Sequence, residues 1–169
     1  MNWNVYFDAS ALVKLYSNEA GTDLVKELFN RLTTEKMYCS MIGMLEVVSI
    51  LVRKQNAHRL TKFTFRQAMS AFRTEVITNP NFPKSSLEDS LLLSALDLIG
   101  RHNLNASDTI ILRSALELQQ VLLLTNEEQM LWTADKRLAR AATSEGLQVF
   151  NPETDTLSGL EAFFPNTTT

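Results

Sequence analysis

Cysteine and histidine are almost missing from these 169 residues: there is one Cys, Cys39, and two His, His58 and His102. A single thiol excludes an internal disulfide, and two His without ligand-pair spacing exclude a Cys- or His-based zinc site. Any metal bound here has to be held by carboxylates. Glycine and proline are sparse, 5 and 4 residues, and neither a repeat nor a low-complexity stretch occurs. With 45% hydrophobic and 21% charged residues, the chain has the make-up of one globular domain, neither fibrous nor disordered. No apolar run approaches the roughly 18 residues of a membrane span. The polar start Met-Asn-Trp-Asn lacks the basic leader of a signal peptide. The expectation is a cytoplasmic protein without a membrane segment.

Acidic residues are absent from one long stretch. Between Val47 and Thr74 there is no Asp or Glu, while Arg53, Lys54, Arg59, Lys62, Arg66 and Arg73 fall inside it. The rest of the chain carries ten basic against nineteen acidic residues, a balance of −9 beneath an overall net charge of −3. Such polarisation suits contact with phosphates or with an acidic protein, and equally a solvated helix face.

What is present is a repeated alternation of short β-prone runs and helical patterns. Val5, Tyr6 and Phe7 form a β-prone run, and Leu12, Leu15 and Tyr16 recur at helical spacing, so Asp8 stands at a strand-to-helix joint. Asp8 or Ser10 would cap such a helix in any protein, so the joint alone decides nothing. A helix from a Thr22 cap leads to a strand at Met37 to Ser40 and then to a long apolar helix from about Met41 to Asn56. That helix contains one acid, Glu46, which in a dry interior would need a cation, a proton or water. Further on, the pattern predicts an amphipathic helix over Thr61 to Glu75, a short strand at Glu75 to Thr78 and a breaker-rich loop, Asn79 to Pro83. It then predicts a helix capped by Ser86 and closed by Gly100.

Asp108 opens another apolar helix, and Val121 to Gln129 either extends it or forms a strand and turn. Met130 to Thr133 reads as a strand that leads through Asp135 into a helix ended by Gly146, and Leu147 to Phe150 as the last strand. No linker divides the chain. The expected organisation is one domain over residues 1–155, followed by a loosely packed tail over 156–169.

Strands alternating with helices imply a parallel sheet, whose right-handed crossovers bring the joints to one edge. Asp8, Asp135, Asp108 and the helix bearing Glu46 would then meet there. Four acids in one crevice raise one another's pKa unless cations neutralise them, and oxygen-only ligands favour Mg²⁺ or Mn²⁺ over Zn²⁺. Metal ions held this way bridge a phosphate, activate water and stabilise both oxygens of an in-line displacement, which points to phosphodiester chemistry.

The segments Val-Tyr-Phe-Asp-Ala-Ser-Ala-Leu-Val-Lys, Leu-Asn-Ala-Ser-Asp-Thr-Ile-Ile-Leu, Leu-Trp-Thr-Ala-Asp-Lys-Arg-Leu-Ala and Glu-Gly-Leu-Gln-Val-Phe-Asn-Pro, with Glu46 between the first two, carry a resemblance. Together they resemble the PIN-domain nucleases, and most closely the VapC-type toxin ribonucleases of toxin–antitoxin pairs, over about Val5 to Pro152. The resemblance implies a three-layer α/β/α fold with a central parallel sheet. It also implies that Asp8, Glu46, Asp108 and Asp135 hold Mg²⁺ or Mn²⁺ for endonucleolytic cleavage of RNA. Ser10 and Thr133 match hydroxyl positions that arrange such a site. Lys14, Lys136 and Arg137 lie close enough in sequence to reach a substrate backbone. A second copy of the chain and a small antitoxin are the implied partners. The segment from Val121 to Gln129 is longer than the expected connection.

Two other readings compete. A phosphatase with Asp8 as nucleophile wants a second acid two residues on, and Ser10 stands there instead. A PIN-like module that binds RNA or protein without cutting keeps the fold but loses the chemistry.

Overall fold

The computed structural model describes residues 2–165. Five strands form one sheet in the order β3-β2-β1-β4-β5, every neighbouring pair parallel. They are β1 (Trp3–Phe7), β2 (Met37–Ser40), β3 (Lys84–Ser85), β4 (Glu128–Trp132) and β5 (Gln148–Phe150). Residues alternate across the pleat, so β1 sends Val5 and Phe7 into one hydrophobic core and Tyr6 into another. On β4, Met130 and Trp132 join the first core and Leu131 the second. A sheet apolar on both faces must be covered on both, and the result is the expected three-layer α/β/α fold.

The first core is closed by α1 (Ala9–Leu12), α2 (Thr22–Arg31), α3 (Met41–Asn56), α4 (Lys62–Phe72) and a later helix described below. After α5 (Asp89–Ser94), the helices α6 (Leu96–His102), α7 (Ala106–Leu123) and α8 (Lys136–Ser144) cover the second. The chain winds outward from β1 through β2 to β3, then returns to the other side of β1 for β4 and β5. That reversal leaves a crevice beyond the carboxyl ends of β1 and β4, where open parallel sheets bind ligands.

Several expected elements differ. Glu75 to Thr78 is not a strand: α4 runs on into a π-helical turn over Arg73–Ile77 that buries Val76. The strand on that side is the two-residue β3, whose pairing with Cys39 and Ser40 needs no β-propensity of its own. Ser86 caps nothing. The helix starts at Asp89 and breaks at buried Ala95, and Gly100 lies inside α6, which ends at the left-handed Asn103 (φ 51°). Gly21, not Thr22, caps α2. Its φ is +85°, and a Cβ there would lie 2.4 Å from the Pro152 carbonyl oxygen, so only glycine fits. The Thr22 hydroxyl instead donates to the Lys14 and Ser17 carbonyls.

The long connection before β4 resolves into three further helical residues after Gln120, a turn through left-handed Asn126 (φ 57°), and the strand itself. Beyond Asp155 the chain is not a loose cover. It forms α9 (Leu157–Phe163), capped by Thr156, with Leu160 and Phe164 buried in the first core and Phe163 edge-on to Trp3. Residues 166–169 of the expected tail lie outside the described residues. Among the described residues no helix is long and apolar enough to cross a membrane.

Candidate active site

Asp8 leaves the carboxyl end of β1, and its backbone N–H still bonds the Trp132 carbonyl, so the sheet fixes its position. The side chain is only 4% exposed. Its Oδ2 accepts from Ser10 Oγ at 2.5 Å, from Thr133 Oγ1 at 2.8 Å and from the Ser10 backbone N–H at 3.3 Å. The two hydroxyls are themselves oriented from the other side. Ser10 Oγ accepts from the Ala134 N–H at 2.9 Å, and Thr133 Oγ1 from the Asp135 N–H at 3.0 Å. Each hydroxyl has one proton and spends it on Asp8. The β1–α1 and β4–α8 joints are thus stitched together beneath one carboxylate.

Asp135 caps α8: its Oδ1 accepts from the Arg137 and Leu138 N–H groups at 2.7 and 3.0 Å. Asp108 could have capped α7, but Asn105 fills that role, its Oδ1 accepting from the Asp108 N–H at 2.8 Å. Asp108 therefore keeps its carboxylate for the crevice, steadied by the Asn105 amide, which donates to its Oδ2 at 2.8 Å. Glu46 stands half-buried in the second turn of α3. It shares a helix face with Ser49, Ile50 and Arg53, at intervals of three, four and seven residues. All four acids line one crevice of about 230 Å³ with Ala9, Ser10, Ser49, Ile50 and Arg53.

Electrostatics register the convergence. Burial pushes the Asp8 carboxyl up, against the hydrogen bonds from Ser10 and Thr133. Glu46 is raised by burial and by the charge on Asp8, with Ser107 and Arg53 opposing. Asp108 is pushed up to about 6 by burial and then by Asp8, Asp135 and Glu46 together, with Arg137 acting the other way. Ionised carboxylates under this mutual repulsion are relieved by a cation, and an all-oxygen donor set suits a hard one, so the residues fit Mg²⁺ or Mn²⁺. As placed, however, no three His, Cys, Asp or Glu side chains among the described residues stand close enough to hold one ion.

The remaining expected residues divide. Ser10 lines the crevice, and Thr133 lies wholly buried beneath it. Arg137 is exposed at the start of α8 within electrostatic reach of Asp108; Lys136 is exposed beside it. Lys14 is a correction: its amine is 2% exposed and ion-paired to Glu153 at 2.6 Å and Glu19 at 3.5 Å, so it is already neutralised and is not placed to meet a substrate. Arg53, expected only as part of the basic stretch, and Asn105, not expected as a site residue, both belong to the site. The signals for them are the seven-residue spacing from Glu46 and an Asn three residues ahead of a helix-opening acid.

Comparison with known proteins accords with this geometry. The family pattern described as the PIN domain matches residues 5–143. A search of curated proteins finds no match. Among solved structures, FitAcB from Neisseria gonorrhoeae is 16% identical, with 89% of this chain and 99% of that chain covered and a TM-score of 0.60. VapC20 of Mycobacterium tuberculosis, described as a sarcin–ricin loop cleaving toxin, is 15% identical over 85% of this chain and 96% of that one, with a TM-score of 0.58. A toxin–antitoxin complex from Klebsiella pneumoniae gives 19% identity, coverage of 88% and 98%, and a TM-score of 0.53. At these identities the likeness speaks for the fold.

Proposed function

Since the chain belongs to the PIN domain family, we propose that it is a Mg²⁺- or Mn²⁺-dependent endoribonuclease, the toxin of a toxin–antitoxin pair, working from the acidic crevice. The observation that carries this reading is the convergence of Asp8, Glu46, Asp108 and Asp135 from four separate elements, with Asp108 held up at about 6. Purely structural caps would not be gathered into one crevice at the cost of mutual repulsion.

In this reading Asp8 is the fixed point, its orientation set by Ser10 and Thr133. Asp135 offers the oxygen not engaged in capping α8, and Glu46 and Asp108 face it across the crevice. Asp8, Glu46, Asp108 and Asp135 would hold Mg²⁺ or Mn²⁺, which would supply Lewis-acid polarisation for phosphodiester hydrolysis. Arg53 and Arg137 flank the acids with positive charge for the phosphodiester backbone. A small antitoxin and a second copy of the chain are the proposed partners. The exposed apolar residues Leu92, Leu93, Leu96 and Ile99 on α5 and α6 support association, since a patch of this kind is usually covered. The expected location is the cytoplasm.

A mixed single-stranded RNA pool, incubated with purified protein in Mg²⁺, Mn²⁺ or EDTA beside the Asp8→Asn variant, tests the reading. Cutting that requires metal and disappears in the variant is expected. One observation favours a second reading, a PIN module that binds without cutting: among the described residues no three of the acids stand close enough to hold one ion. Absence of cutting by metal-loaded protein freed of antitoxin selects that reading.

A further inference from the structure

A second cavity, of about 380 Å³, opens between the end of α6 and the outer face of α8. Its lining is basic: Arg101, Arg137 and Arg140, with His102, Asn103 and Ser144. Arg101 and His102 are already engaged. Glu145 accepts from Arg101 at 2.7 Å and meets His102 at 2.5 Å, and Asp97 also pairs with Arg101. Arg137 and Arg140, by contrast, make no ion pair among the described residues and are exposed. Three residues apart on α8, they lie on one helix face. The first turn of α8 holds Lys136 and Arg137 and no acid, where the helix dipole disfavours cations. Helix stability does not account for them, and the cavity they line is polar and open to solvent.

The cavity is also joined to the acidic crevice. Arg137 lines it and at the same time acts on Asp108. Asp135, in the crevice, precedes Arg140 by five residues, about 7.5 Å along the helix axis at a rise of about 1.5 Å per residue. A strand carrying a phosphate every few ångströms spans that distance within a couple of nucleotides. Arginine forks match phosphate oxygens in pairs, and the Ser144 hydroxyl and Asn103 amide add neutral donors beside them.

We propose that the pocket formed by Arg101, Asn103, Arg137, Arg140 and Ser144 binds a backbone phosphate of the nucleic-acid strand whose neighbouring linkage lies in the acidic crevice. This rests on the reading of that crevice as a nuclease site. The pocket sets the register of the strand: the linkage presented to the acids is the one a fixed distance from the phosphate held by Arg140.

The test uses full-length Asp8→Asn protein and a labelled single-stranded RNA in which one linkage at a time is replaced by a neutral methylphosphonate. In the Asp8→Asn background, affinity is expected to fall several-fold at one defined linkage near the crevice. Adding Arg140→Gln abolishes sensitivity at that linkage alone and makes the salt dependence of log K shallower by about 0.7. Arg140→Lys restores part of both. The Arg140 side chain is exposed and without an ion pair among the described residues, and thermal unfolding of each variant checks that the fold is kept. If Arg140→Gln weakens binding evenly at all linkages, or leaves the sensitive linkage sensitive, the pocket does not hold a phosphate. Cutting by wild-type protein without an Arg140-dependent linkage overturns the pocket and leaves the nuclease reading standing. An Arg140-dependent linkage in a protein that never cuts keeps the pocket and overturns the nuclease.

Discussion

Thr133 Oγ1 donates to Asp8 Oδ2 at 2.8 Å across 125 residues of sequence, and neither side chain has appreciable contact with solvent. The bond is the centre of the candidate site, because the same threonine oxygen also receives the Asp135 N–H.

Thr133→Val keeps the shape and removes both hydrogen bonds. Leaving a buried carboxylate and a backbone N–H short of partners costs about 1–3 kcal/mol. Urea unfolding should show a loss of that size, with RNA cleavage falling further than stability because Asp8 and Asp135 lose their common support. Thr133→Ser should recover most of both. Unchanged cleavage in the valine variant would remove Thr133 from the site.

Without metal, the crevice should make the protein less stable as pH rises through the weakly acidic range. The folded pKa of Asp108, about 6, lies above its ordinary 3.8. Between those values the folded protein holds a proton that the unfolded chain has released, so unfolding free energy falls from about pH 4 to about pH 6 and levels off above. Asp8 and Glu46, also raised, push in the same direction. Denaturant unfolding in EDTA across this window should follow that slope, and Asp108→Asn should flatten it. Saturating Mn²⁺ near neutral pH should restore the lost stability.

Lys14 should matter for stability and not for substrate. Its amine bridges Glu153 and Glu19, and Lys54 joins Glu19 from α3. Lys14→Met removes a buried cation; Glu19 keeps Lys54 and the partly exposed Glu153 turns to water, so the cost should be on the order of 1 kcal/mol. RNA affinity and its salt slope should stay as they are. A shallower slope in this variant would restore Lys14 to the substrate surface.

The acid-free stretch makes a separate expectation. Arg59, Lys62, Arg66 and Arg73 are exposed and form no ion pair among the described residues; Lys62 and Arg66 share one face of α4, and Arg73 opens the π-helical turn that follows it. Changing Arg59, Lys62 and Arg66 to Gln should weaken RNA binding and reduce the salt slope by about 0.7 for each phosphate that is no longer neutralised. If affinity and slope hold while binding of an acidic partner protein falls, the surface belongs to that partner.

Much of this was legible in the sequence where local pattern and tertiary packing agree. The strand at Met37–Ser40 and the helix at Met41–Asn56 fall at their expected bounds, because a β-prone run and an apolar helical period each specify one outcome. The four acids were visible as acids at joints. Their meeting in one crevice was expected from the alternation of strands and helices, while the strand order that sets β1 beside β4 is in no local signal. Lys14 shows the limit most clearly. A lysine six residues past Asp8 is indistinguishable in sequence from a substrate contact, and only the return of Glu153 after the last strand reveals that it is buried. The two-residue β3 was illegible for a related reason: its pairing comes from β2 and not from its own residues.

The central strand β1 takes one neighbour from the early chain and the other, β4, from residues more than 120 positions later. A ribosome making this protein must therefore add 125 residues after Asp8 before that carboxylate can meet its threonine. Until then Asp8 has Ser10 beside it but neither Thr133 nor Asp135. Gly21 seals against Pro152 only when the last strand has emerged. A product truncated before Thr133 thus carries three of the four acids without the assembled crevice, and whatever this site does to its target begins only once β4 and β5 have been made.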